Sequence, residues 1–260
     1  MTEPGAINRP AINRPGGHCL AYHATAGDSP GVVFLGGFMS DMTGTKAMAL
    51  EAHCRAQGRA FLRFDYLGHG QSRGAFEDGT IGRWADDAIA AIDQLTEGPQ
   101  VLVGSSMGGW IMLLAALALP SRVAGLLGVA AAPDFTESLI WDGFDDDQRG
   151  ILMDEGILHL AGDYGDAPYP ITRGLIIEAR DHLLLDGPIG LDCPVRLIQG
   201  MADNDVPWQT ALTLAERLAG DDVEVTLVKG GDHRLSEARD LDRLGRTLDA
   251  LIETIGQKDQ

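Results

Sequence analysis

The sequence predicts an α/β fold: a mostly parallel central sheet, helices on both of its faces, and a helical lid inserted late in the chain. Short apolar runs alternate with amphipathic stretches. A serine bracketed by glycines joins one such run to a helix. One long interval breaks the alternation. The 260 residues suffice for a single sizeable α/β domain, and a hydrophobic content of 45% is that of an ordinary globular protein.

The chain opens on a small duplication, "AINRP" at Ala6–Pro10 and again at Ala11–Pro15. Two five-residue copies, each ended by proline, cannot bury a core. Residues 1–16 therefore read as a flexible tail, and residues 17–260 as one domain. The runs Gly31–Gly37, Arg59–Asp65, Pro99–Gly104, Val123–Ala131, Val195–Gly200 and Val223–Gly230 read as buried strands. The stretches Thr43–Gln57, Ile81–Leu95, Met107–Leu119, Trp208–Leu218 and Leu235–Ile255 read as helices. This rhythm calls for a parallel sheet covered on both faces, with the reactive site beyond the carboxyl ends of its strands. From Pro133 to Pro194 no central strand is evident. The acidic turn "DGFDDDQ" and helical patches near Gln148–Asp154 and Ile171–Leu185 suggest a lid spanning about residues 134–192.

A net charge of −18 argues against nucleic acid and anionic membrane surfaces as partners, because phosphates would repel such a chain. Cys19, Cys54 and Cys193 have the spacing of neither a disulfide framework nor a zinc site, which suggests a reducing compartment. No apolar run approaches the roughly 20 residues that span a bilayer. The start "MTEPGAINRP" resembles neither a secretory signal nor a transit peptide, so the expected location is cytoplasmic.

A serine hydroxyl needs a base to take its proton and N–H groups to receive the oxyanion it creates. The G-x-S-x-G turn meets the first need by presenting the serine on a sharp bend between strand and helix, where neighbouring side chains would collide. "VGSSMGGW" fits that pattern in one register, Gly104-Ser105-Ser106-Met107-Gly108; centring it on Ser105 would need glycine at Val103 and Met107. Ser106 is thus the candidate nucleophile. Of the seven histidines only His233 follows a late strand, on a glycine-loosened loop, and it is the candidate base. His18, His23, His53, His159 and His182 read as ordinary surface or core residues. The acid should follow the preceding strand, where Asp203 and Asp205 both lie. Asp203 is the stronger candidate, and Asp205 better suits the cap of the helix starting near Pro207. The oxyanion donors expected are the N–H of Met107 and that of Phe38, with Gly37 as the lesser choice for the second. "GGFMSDMTGTK" is no phosphate loop, since Thr45 separates Gly44 from Lys46. Met39, Trp110 and Trp141, with Met107, Leu139 and Ile140, are candidates for lining a substrate pocket, although each would serve equally as core.

Gly36-Gly37-Phe38, "DYLGHGQS", "GSSMGGW", "QGMADNDVP" and "GGDHRLS", in this order, resemble the α/β-hydrolase superfamily. Within it, "VVFLGGFMSDMTGTKA" and "RGAFEDGTIGRWADD" are similar to the branch of animal mitochondrial palmitoyl-protein thioesterases and acyl-glucuronide deacylases and their bacterial relatives. The resemblance covers roughly residues 31–252. It implies hydrolysis of acyl thioesters and activated esters by Ser106, Asp203 and His233, without metal or organic cofactor. The substrate would be a small molecule or an acylated protein. Gly36 stands where relatives commonly carry histidine, which removes one side-chain support for the oxyanion loop. Two other classes fit the same residues: a peptidase or C–C bond hydrolase using the same triad, and a ligand-binding relative without chemistry.

Overall fold

A computed structural model describes residues 11–14, 17–160 and 168–258 of the chain. Ten strands are found among them: β1 (Ala11–Asn13), β2 (Cys19–Thr25), β3 (Asp28–Leu35), β4 (Arg59–Phe64), β5 (Gln100–Ser105), β6 (Val123–Val129), β7 (Ile157–Leu160), β8 (Tyr169–Thr172), β9 (Val195–Gly200) and β10 (Val223–Val228). The helices are α1 (Thr45–Ala56), α2 (Ile81–Leu95), α3 (Met107–Ala118), α4 (Asp146–Glu155), α5 (Arg173–Ala179), α6 (Gln209–Arg217) and α7 (Ala238–Lys258). The main sheet runs β1-β2-β4-β3-β5-β6-β9-β10. From β4 to β10 all its pairings are parallel, while β1 and β2 form an antiparallel edge.

Alternation along the strands builds two cores. Val33, Leu35 and Leu102 face Trp84 of α2 and Trp110 and Ile111 of α3. Their neighbours Val32, Phe34, Val101 and Val103 face Ala47, Leu50 and Cys54 of α1 and Leu244, Leu248 and Leu251 of α7. Strands β5 and β9 are buried along their whole length, which explains their unbroken apolar character. α3 is buried nearly all round, because sheet, α2 and lid enclose it.

The lid rises between β6 and β9. It comprises a π-helical turn at Thr136–Trp141, α4, the antiparallel pair β7–β8, and α5. α4 carries a capping box, in which Asp145 accepts from the N–H of Gln148 and the Gln148 side chain accepts in return from the N–H of Asp145. Gly156, at φ 84°, ends the helix in the left-handed conformation. Phe144, Leu152, Ile171 and Ile176 form a small core of the lid's own. Beside the helices expected there, the lid carries the antiparallel pair β7–β8, whose four-residue strands are too short for period-two alternation to reveal. The tail expected over residues 1–16 is corrected at Ala11–Asn13, which pairs with Cys19–Ala21; residues 1–10 and 15–16 lie outside the described residues.

Candidate active site

Ser106 sits between β5 and α3 with φ 55° and ψ −123°, a backbone conformation that costs free energy and holds only where the surroundings over-determine it. Those surroundings are visible. A Cβ at Gly104 would run into the backbone of Gly108 and Gly109, and one at Gly108 would strike the carbonyls of Leu35 and Gly36. The Ser106 N–H donates to the Val129 carbonyl at 3.0 Å, while its own carbonyl accepts from Gly109 and Ala132 at 2.8 and 3.1 Å. The bend is held from both sides.

The loop after β10 brings His233 to this serine. Ser106 Oγ lies 3.0 Å from His233 Nε2, and His233 Nδ1 lies 2.9 Å from Asp203 Oδ2, on the loop after β9. Asp203 accepts further hydrogen bonds from the N–H groups of Asp205 and Val206 and from Gln199 Nε2, at 2.8 to 2.9 Å. Burial by itself would raise this carboxyl. The hydrogen bond from His233, the Val206 N–H, the charge of His233 and the Asp205 N–H outweigh burial and hold the pKa below its ordinary 3.8. Gln199, on buried β9, is the supporting residue that sequence reasoning missed, because nothing local distinguishes it from a strand glutamine. Asp205 is not a helix cap: α6 starts at Gln209, and its cap position is Trp208, with no side-chain bond.

Met107 opens α3, so its N–H has no acceptor within the helix. Phe38 lies in the turn after β3, next to Gly37, where a Cβ would come within 3.3 Å of the Ser106 Cβ. Both expected oxyanion donors are therefore close to the serine in the chain or in space. Asp203, Asp205 and His233 are spaced closely enough to hold a cation. The imidazole and two N–H groups already donate to Asp203, an arrangement that suits a carboxylate orienting a base better than a ligand awaiting metal.

Ser106 and His233 open into a cavity of about 750 Å³. Phe38 and Met39 line it from the loop after β3, and Ile140, Leu160, Tyr169 and Ile171 line it from the lid. Lys46 and Arg234 border it on the other side. Of the residues expected to line the substrate pocket, Met39 and Ile140 are in place, and Trp110 and Trp141 are corrected. Trp110 is fully buried, its Nε1 donating to the His182 carbonyl, and belongs to the core. Trp141 lies outside the cavity wall, with Arg149 and Arg180 guanidinium groups at 5.2 and 5.0 Å from its ring, where it holds lid segments together. Lys46 Nζ donates to the Arg234 carbonyl at 2.5 Å, tying α1 to the loop that carries His233. Burial lowers the Lys46 pKa to about 8, against the pull of Asp232.

A strand-borne serine elbow with its histidine and acid on the next two late loops defines a class. Residues 32–161 match the α/β-hydrolase fold family, to which the chain belongs, and it is a hydrolase of that fold. The chain is 42% identical over 245 residues to the human mitochondrial palmitoyl-protein thioesterase ABHD10, a match covering 94% of this chain and 80% of the relative. A putative hydrolase from Agrobacterium vitis superposes with a TM-score of 0.90 at 42% identity, over 94% of this chain and 98% of that one. The mouse α/β-hydrolase domain-containing protein 10 superposes at 0.88 and 40%, over 95% and 98%. The ferulic-acid-bound Est1E of Butyrivibrio proteoclasticus, at 20% identity and 0.78, shares the fold. The expected cytoplasmic location is overturned here, since the curated ABHD10 relatives are named as mitochondrial. Cysteines outside any disulfide fit every reducing compartment and could not discriminate between them.

Proposed function

We propose that the chain is a serine hydrolase of carboxylic esters and acyl thioesters. His233 Nε2 takes the proton of Ser106 Oγ as that oxygen attacks the acyl carbonyl, and Asp203 holds the ring through Nδ1–H and stabilises the imidazolium. The N–H groups of Phe38 and Met107 receive the negative charge on the carbonyl oxygen, each worth about 3 kcal/mol in the transition state. Collapse breaks the bond to the thiol or alcohol, which leaves with the proton from His233. Water, deprotonated by His233, then attacks the acyl-Ser106 ester and releases the acid. The cycle closes with Ser106 reprotonated, and every proton passes through His233.

The observation that carries this reading is the continuous hydrogen-bonded chain Ser106–His233–Asp203 at the mouth of a cavity with one apolar wall. Thioesters are favoured by the activity for which the ABHD10 relatives are named. The test is a panel of acyl thioesters and p-nitrophenyl esters of graded chain length, with peptide anilides alongside. Turnover of thioesters and esters by the wild type, and none by Ser106→Ala, is expected. Anilide cleavage without ester cleavage would replace this reading with a peptidase.

A further inference from the structure

His69 lies in the loop after β4, and its ring reaches the turn after β3.

The His69 ring is almost wholly buried, enclosed by Tyr66, Phe76 and Trp84 at centroid distances of 5.5, 5.0 and 5.2 Å. Its Nδ1 lies 3.0 Å from the Leu67 carbonyl, which only an N–H can satisfy. The proton therefore sits on Nδ1, and Nε2 presents a lone pair, which accepts from the Met39 N–H at 3.3 Å. Burial lowers the pKa below its ordinary 6.5, despite the opposing Leu67 hydrogen bond and the Asp87 charge, and keeps the ring neutral.

Met39 has φ 54° and is the third residue of a turn closed by the Ser40 N–H on the Gly37 carbonyl at 3.1 Å. Positive φ at that position belongs to the type II turn, which differs from type I by a flip of its middle peptide. Here the middle peptide is Phe38–Met39, and its N–H is the one His69 accepts. We propose that His69 is a positioning residue that fixes this peptide through the Met39 N–H and so aims the neighbouring Phe38 N–H at the oxyanion. The proposal rests on the reading of Phe38 as an oxyanion donor. Its effect falls on the transition state, where the charge develops, and leaves ground-state binding nearly unchanged.

The test compares His69→Phe, which keeps an aromatic ring without an acceptor, with His69→Gln, whose Oε1 restores one. On p-nitrophenyl butyrate, His69→Phe is expected to lower kcat by about 10- to 100-fold with KM within about 2-fold, and His69→Gln to recover most of the loss. Amide exchange at Met39 gives a readout independent of catalysis, faster in His69→Phe than in the wild type or His69→Gln. Wild-type kcat in a folded His69→Phe protein with unchanged Met39 exchange overturns the proposal, as does equal impairment of the two variants. If His69→Phe does not fold, His69→Leu takes its place under the same criteria. Faster Met39 exchange with unchanged kcat would overturn the aiming role and the Phe38 reading together, whereas an inactive wild type would overturn the hydrolase reading and leave the exchange result to decide the His69 contact.

Discussion

Ser106 is held in its strained conformation by glycines that admit the backbone of neighbouring segments. Gly108→Ala would place a methyl against the Leu35 and Gly36 carbonyls, and backbone cannot swing aside as a flexible side chain can. The variant is expected to lose about 3 kcal/mol of stability, read by denaturant unfolding. Asp203→Asn should keep the fold but lower kcat by about 10⁴-fold, because an amide no longer selects the Nδ1–H tautomer of His233. The three residues of the proposed triad could be picked out in the sequence because each follows a strand end and the serine turn has a steric signature. Gln199 and Lys46 were not legible. Their roles come from contacts with Asp203 and Arg234, and Lys46 is 188 residues distant from its partner in the chain.

At the scale of elements, Asp134 fastens the lid. This buried residue, at φ 59°, opens the insertion, and its carboxylate accepts from the N–H groups of Leu184 and Leu185, near the insertion's end, at 2.8 to 3.1 Å. Asp134→Ala leaves both donors without their acceptor and should cost about 1–3 kcal/mol, with faster proteolysis within the lid. Lys46 gives the junction of α1 with the His233 loop a pH signature. Its folded pKa of about 8 lies below the ordinary 10.5, so between these values the unfolded chain binds the extra proton and stability rises with pH. Subtracting the melting temperatures of Lys46→Met from those of the wild type should give a difference that grows from pH 8 to pH 10. The long strands and helices were readable from periodicity, and α2 and β9 match their expected limits. Strand β2, paired to β1 and β4, was missed because its burial follows no alternating pattern, and the edge strand β1 because three residues carry no pattern at all.

Across the whole molecule, the net charge of −18 means that the folded chain concentrates like charges which the unfolded chain spreads apart. Salt screens that repulsion, so the melting temperature should be higher at 0.15 M salt, where the Debye length is about 8 Å, than at 0.01 M, where it is about 30 Å. The charge sets an expectation about phosphate-rich partners and had no power to identify a compartment; the location, inferred instead from the cysteines and the opening segment, is overturned by the mitochondrial relatives. Likewise the sequence located the lid and, of its wall, Ile140 alone: Leu160, Tyr169 and Ile171 join it over the serine only once the insertion folds back upon it.

The central claim is that Ser106 Oγ is the atom that becomes acylated. Peptide mass spectrometry after brief reaction with a fluorophosphonate reports on it most directly. The account predicts one adduct, on Ser106, formed at a rate that collapses in His233→Ala. An adduct on another residue, or equal labelling of Ser106→Ala, would contradict it.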